Sequence, residues 1–217
     1  MSTPTPGTPP TPRTRTHVVI VIDRSGSMGS LQGFVVEEAN RFLEQLDPAD
    51  VVTIAQFDGH APYDLLVDGL PAAEVTPITH DQYEPRGSTP LYDAVGTAIT
   101  RTAGVVARDA VLGVETSVVL GIITDGFENS STEYTERQVS DLVEHHQDRG
   151  WRITYVGLGL GEATHAASAS LKVRRSKSLA YSKSGSGLRA SFEALRSDVA
   201  ESRAPRPTAG PGESGEA

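Results

Sequence analysis

The run Val18–Ile22, five consecutive apolar, β-branched residues halted by Asp23, constrains this chain more than any other feature. A strand that is apolar at successive rather than alternate positions must be covered on both faces. That is the condition of a central strand in a parallel sheet with helices packed above and below. The charged residue at its end then lies where the sheet meets solvent.

The remainder of the chain alternates strand and helix signals. After the first strand, Leu31, Val35, Ala39, Phe42 and Leu46 recur at spacings of three and four, predicting a helix that stops before Pro48. Val51–Phe57 reads as a second buried strand, and Tyr63–Leu70, more polar and next to Pro71, as a strand at the sheet edge. Thr89 before Pro90 fits a helix cap followed by proline at the first helical position, with Leu91, Val95, Ala98, Ile99 and Val105 as the buried stripe. "TSVVLGIITD" is the next strand and again ends in an aspartate, Asp125. A capping-box candidate, Thr135 to Gln138, opens a helix that Gly150 can close. "WRITYVGLG", a short helix near Glu162 to Leu171, a strand at "SLAYS" and a helix carrying Leu188, Phe192, Leu195 and Val199 complete the pattern. Alternating strands and helices predict an α/β fold with a doubly wound, mainly parallel sheet, helices on both faces and one antiparallel edge strand.

Composition narrows the function classes. Lys and Arg number 19 against 28 Asp and Glu, a formal charge of −9, which argues against a nucleic-acid or anionic-membrane footprint. There is no cysteine, so disulfides, thiolate metal sites and cysteine nucleophiles are excluded. The Pro/Thr-rich residues 1–16 and the Pro/Gly-rich residues 202–217 read as disordered tails around one domain at 17–201. With no apolar segment near the roughly 20 residues that span a bilayer, and none of signal-peptide type, cytoplasmic residence is the expectation.

Folds of this class put ligands at the carboxyl ends of their strands. Asp23, Ser25 and Ser27 alternate in "DRSGS", so a turn leaving the strand can aim their oxygens at one point. Carboxylates and hydroxyls without nitrogen or sulfur suit a hard cation such as Mg²⁺, with Mn²⁺ or Ca²⁺ as alternatives. Thr89 and Asp125 would complete the shell. Taken alone, "DRSGS" is equally a local turn satisfying its own backbone, and Thr89 a simple cap.

The stretches "DRSGS", "RGSTPLYDA" (Arg86 to Ala94) and "IITDG" (Ile122 to Gly126), in this order, resemble a von Willebrand factor A domain with a complete metal-ion-dependent adhesion site. The likeness covers roughly His17 to Leu160. It implies a Rossmann-like fold, a generally non-catalytic site at Asp23, Ser25, Ser27, Thr89 and Asp125, and a protein partner whose Glu or Asp completes the ion's coordination. In size the chain resembles small stand-alone bacterial or phage members, and Glu128 and Asn129 fall at the rim of such a site.

Enzymatic readings fit less well. "SGSMG" around Ser27 approaches a nucleophile elbow but lacks its first glycine, and His145, His146 and His165 read as surface positions. A Mg²⁺-dependent phosphotransferase or phosphatase with Asp23 as nucleophile would need a second aspartate where Ser25 stands. "GLGLGEA" has Glu162 in place of the third glycine of a dinucleotide loop. The basic run Lys172–Lys177 is either solvated surface or a patch for an acidic partner.

Overall fold

The computed structural model describes residues 13–203. Its six strands are β1 (Arg13–Asp23), β2 (Val51–Asp58), β3 (Ala61–Pro71), β4 (Val114–Thr124), β5 (Arg152–Leu158) and β6 (Ser178–Tyr181). They form one sheet in the order β3-β2-β1-β4-β5-β6, parallel throughout except for the antiparallel edge pair β2 and β3. The helices are α1 (Gln32–Glu44), α2 (Leu91–Val111), α3 (Glu136–Asp148), α4 (Ala163–Ser170) and α5 (Gly185–Ser202).

Each face of the sheet carries its own core, and the alternation within β1 divides the two. Val18, Ile20 and Ile22 pack with Val35, Ala39 and Phe42 of α1 and Leu188, Phe192 and Leu195 of α5. Val19 and Val21 pack with Leu91, Val95 and Ile99 of α2 and Val139 and Val143 of α3. Both sets of β1 side chains are essentially inaccessible, which is why the run tolerates no polar residue before Asp23.

Three local expectations are corrected. β1 starts at Arg13, so Arg13–Thr16, read as tail, are strand: β4 is long enough to pair them with Val114 to Ser117. At the other end Ser202, also read as tail, is the last residue of α5 and Arg203 its C-cap, and the remaining tail positions, 1–12 and 204–217, lie outside the described residues. α2 has Pro90 rather than Thr89 at its N-cap and begins at Leu91, and its first-turn N–H groups are taken by Glu128 and Ser131 from the loop after β4 instead of by a local cap. The Thr89 backbone is instead tied to another loop. Val105 of the expected stripe is only partly buried.

Three of the four cations of the basic run pair within the chain, and Arg175 is exposed. Lys172 pairs with Asp141 and Glu144, Arg174 with Asp148, and Lys177 with Asp198. Among the described residues, no helix is long and apolar enough to cross a membrane.

Candidate metal centre

The strand order reverses between β1 and β4: from β1 the chain steps outward to β2, and from β4 outward to β5 in the other direction. Loops leaving the two strands therefore part and open a crevice at their carboxyl ends. In register, Ile22 pairs with Ile123, so Asp23 and the Thr124–Asp125 step arrive side by side although about a hundred residues separate them.

Leaving β1, the backbone N–H of Ser25 donates to Asp23 Oδ1 at 2.6 Å, and the Ser25 and Ser27 hydroxyls lie 3.0 Å apart. The Ser27 hydroxyl donates to Asp125 Oδ1 at 2.6 Å, linking the two loops. Asp23 Oδ2 accepts from the Thr124 hydroxyl at 2.6 Å, and the Asp23 carbonyl accepts from the buried Tyr83 hydroxyl at 2.5 Å. Burial pushes the Asp23 carboxyl above the usual aspartate range, and the neighbouring Asp125 carboxylate adds to the rise against the Ser25 and Thr124 hydrogen bonds.

Thr89 comes from the third loop. Gly26 N–H donates to the Gly87 carbonyl at 3.1 Å and Arg86 N–H to the Arg24 carbonyl at 2.8 Å, fastening this loop to the first. Asn129 fastens it to the loop after β4: Thr89 N–H donates to Asn129 Oδ1 at 2.8 Å, and Asn129 N–H to the Thr89 carbonyl at 3.2 Å. Among the described residues the Thr89 hydroxyl makes no hydrogen bond. Glu128, expected at the rim, instead accepts from the Tyr92, Ser130 and Ser131 backbone N–H groups. A methyl group on Gly126 would stand 3.5 Å from Thr89 Oγ1 and 4.0 Å from Asp23 Oδ2, so the absence of a side chain there keeps open the space between them.

The five sequence-predicted positions thus meet at one end of the sheet. Two carboxylates and three hydroxyls form an oxygen-only donor set, the chemistry of a hard divalent cation. Asp125 Oδ2 is buried and accepts no hydrogen bond; the Lys183 ammonium lies 2.6 Å away, off the direction a hydrogen bond requires. A buried carboxylate oxygen so placed fits a cation. Among the described residues no three or more His, Asp or Glu side chains gather to hold a metal, so any ion here would rely on the hydroxyls.

Sequence reasoning missed Thr124, Tyr83 and Lys183, each of which reaches the cluster from another element. It also missed the Arg24–Asp58 pair behind it, where Arg24 Nε donates to Asp58 Oδ2 at 2.6 Å. The expected surface histidines stay away from Ser27: His146 stacks on Trp151 and His165 hydrogen-bonds Ser178. Cavities of about 380, 510 and 440 Å³ are lined by residues at the other end of the sheet, among them His17 and Thr53, Asp50 and Glu115, and Val118 and Trp151.

By sequence the chain matches no family model and no curated protein. Solved structures are similar to it in fold. The vWF domain of the type V pili tip protein Mfa5 from Porphyromonas gingivalis superposes with a TM-score of 0.60 at 11% identity, covering 89% of this chain and 98% of that one. Proximal thread matrix protein 1 from the mussel byssus, with a zinc-occupied MIDAS motif, gives 0.57 at 16% identity over 86% of this chain and 46% of that one. A von Willebrand factor type A protein from Catenulispora acidiphila gives 0.57 at 16% identity over 88% and 43%. The chain spans less than half the length of the latter two. It has the mixed α/β, Rossmann-like fold of von Willebrand factor A domains.

Proposed function

We propose that this chain is a protein-binding module in which Asp23, Ser25, Ser27, Thr89 and Asp125 hold a divalent ion, and that a Glu or Asp of a partner protein completes the ion's shell. The observation that carries the reading is the convergence of oxygen donors from three distant loops on one crevice, with Asp125 Oδ2 buried there and faced only by the Lys183 ammonium. Two carboxylates roughly balance a divalent charge and the hydroxyls add none. The bound ion would supply a Lewis-acidic position for one more carboxylate.

The site's margin supports a macromolecular partner. Phe127, two residues past Asp125, is 52% exposed, and Phe34 in the first turn of α1 is 46% exposed. Solvent-facing phenyl rings beside a polar site provide apolar area for a partner to bury. The mussel relative with a zinc-occupied MIDAS supports metal occupancy of the same fold. The oxygen donors here favour Mg²⁺ or Mn²⁺ over zinc, which is mostly taken by nitrogen and sulfur. Cytoplasmic residence belongs to the proposal on the sequence reading alone.

The phosphotransferase alternative finds little support. Asp23 is fully buried, and each of its carboxylate oxygens already accepts a hydrogen bond, from Ser25 and Thr124. A nucleophile must reach its substrate.

The test is calorimetric titration of Mg²⁺ and Mn²⁺ into the metal-free protein, with Asp23→Ala and Ser27→Ala controls whose fold is checked by circular dichroism. A partner capture in metal and in chelator, and a p-nitrophenyl phosphate assay, accompany it. One-site binding lost in the controls, metal-dependent capture and no turnover are expected. Capture undiminished by chelator would sink the proposal, and turnover dependent on Asp23 would replace it with the phosphotransferase.

A further inference from the structure

We infer that Lys183 is a built-in cation that competes with the metal for Asp125 and thereby sets how tightly the site binds its ion; this rests on the metal-site reading above. Lys183 lies in the connection between β6 and α5, and its ammonium nitrogen stands 2.6 Å from Asp125 Oδ2. The Asp125 side chain is fully buried, while that of Lys183 is 34% exposed. The lysine therefore enters from the solvent side and ends on a buried carboxylate of the cluster.

The connection is held from both sides, so the contact is placed rather than incidental. Gly159 N–H donates to the Tyr181 carbonyl at 2.7 Å, anchoring the end of β6. The Ser184 hydroxyl caps α5 by accepting from Gly187 N–H at 3.2 Å. Two glycines clear the path between these anchors. Gly159 adopts φ +75°, and a Cβ there would stand 2.9 Å from the Lys183 Cβ; a Cβ on Gly187 would fall within 2.0 Å of the Ser182 carbonyl oxygen.

The electrostatic logic follows. Asp23 and Asp125 are close enough for each charge to oppose the other, and Asp125 Oδ1 already holds the Ser27 hydroxyl. The remaining oxygen faces an ammonium group whose charge offsets the second carboxylate when no divalent ion is bound. An ion drawing on Asp125, directly or through water, meets that positive charge and must displace it. The ammonium on its flexible stem can swing into solvent, so displacement asks for no backbone rearrangement. The chain thus carries a weak monovalent occupant of its own, and the metal binds less tightly than the oxygen donors alone would allow.

The experiment titrates Mg²⁺ into the parent protein, Lys183→Met, Lys183→Arg and Asp23→Ala at fixed ionic strength, and records the melting temperature of each with and without the ion. K183M is expected to bind Mg²⁺ at least tenfold more tightly than the parent, to melt lower without the ion, and to show the larger Mg²⁺-induced rise. K183R, which keeps the charge, stays close to the parent. Parent binding with K183M equal or weaker overturns the competition and leaves the metal site standing. No Mg²⁺ binding by either protein overturns both. If K183M unfolds without the ion, recovery of the fold in Mg²⁺ supports the inference, and failure to recover overturns it.

Discussion

The Arg24 guanidinium and the Asp58 carboxylate form an ion pair buried directly behind the candidate metal centre, with Arg24 Nη2 2.6 Å from Asp58 Oδ2. Asp58 also accepts from the His60 and Ala61 backbone N–H groups at 2.7 and 3.1 Å and from Arg86 Nε at 3.2 Å. Burial pushes its carboxyl up, but these N–H donors and the Arg24 guanidinium outweigh that and hold it below the usual aspartate range. Because Arg24 lies between Asp23 and Ser25, and Arg86 opens the Thr89 loop, one carboxylate braces two of the three loops.

Asp58→Ala therefore takes from a buried guanidinium the partner of its Nε and Nη2, leaving it only Asp64, whose Oδ2 lies 3.0 Å from Nη1. Removing one member of a buried pair costs about 3 to 5 kcal/mol. Urea unfolding is expected to show a loss of that size, with a fall in Mg²⁺ affinity in whatever protein stays folded. A loss under about 1 kcal/mol would mean that Asp64, already bonded to Arg24, takes over the role of Asp58.

Tyr83→Phe isolates one contact. The Tyr83 hydroxyl is fully buried, its pKa driven well above the usual tyrosine value by burial and then by Asp23, so it stays a neutral donor to the Asp23 carbonyl. Removing it leaves that carbonyl without this donor and should cost about 1 to 3 kcal/mol in urea unfolding. The substitution removes the donor without removing a charge, so the loss reads the hydrogen bond alone.

These supports mark where the sequence stops being legible. Apolar runs ending in Asp23 and Asp125, and helical spacings between them, expose the strand and helix order because burial on both faces leaves a local composition signal. The β3 edge was readable for the same reason, through its polarity and Pro71. Thr89 misled at the level of capping, since its backbone is claimed by Asn129, forty residues away, and local pattern says nothing of such a partner. Lys183 had no signal at all: "YSKSG" is an ordinary loop until the sheet brings the end of β6 round to Asp125. Contacts between loops depend on strand order, which periodicity does not encode.

Two glycine substitutions should move in opposite directions. Ala at position 187 would drive its methyl into the Ser182 carbonyl, displacing backbone in the connection that carries Lys183, at a cost of about 1 to 3 kcal/mol. Gly104 is exposed within α2 with open space around the added methyl. Gly104→Ala should instead stabilise the protein by about 0.5 to 1 kcal/mol through helix propensity and reduced freedom of the unfolded chain. Thermal melts of the two variants showing shifts of the same sign would contradict this account.

His17 gives the fold an acid-sensitive point far from the metal centre. It lies near the start of β1 with Nε2 2.9 Å from Thr53 Oγ1 and a buried, unpartnered Nδ1. Burial lowers its pKa from 6.5 to about 4, with Asp109 and Asp68 pulling weakly upward and Arg15 downward. The folded state thus holds the ring neutral, and its contribution to stability is complete above pH 6.5. As pH falls from 6.5 towards 4, the unfolded chain gains a proton that the folded chain refuses, so stability drops. At 1.36 kcal/mol per unit, the loss between pH 7 and pH 4.5 is about 2 to 3 kcal/mol. The Asp23 carboxyl, raised in the fold, works in the opposite sense, so the parent curve mixes both groups. Comparing the parent with His17→Gln by urea unfolding across this range separates them, because only the histidine term disappears. The variant should lose about 2 to 3 kcal/mol less than the parent on acidification, and parallel curves would show that His17 is not the group that titrates.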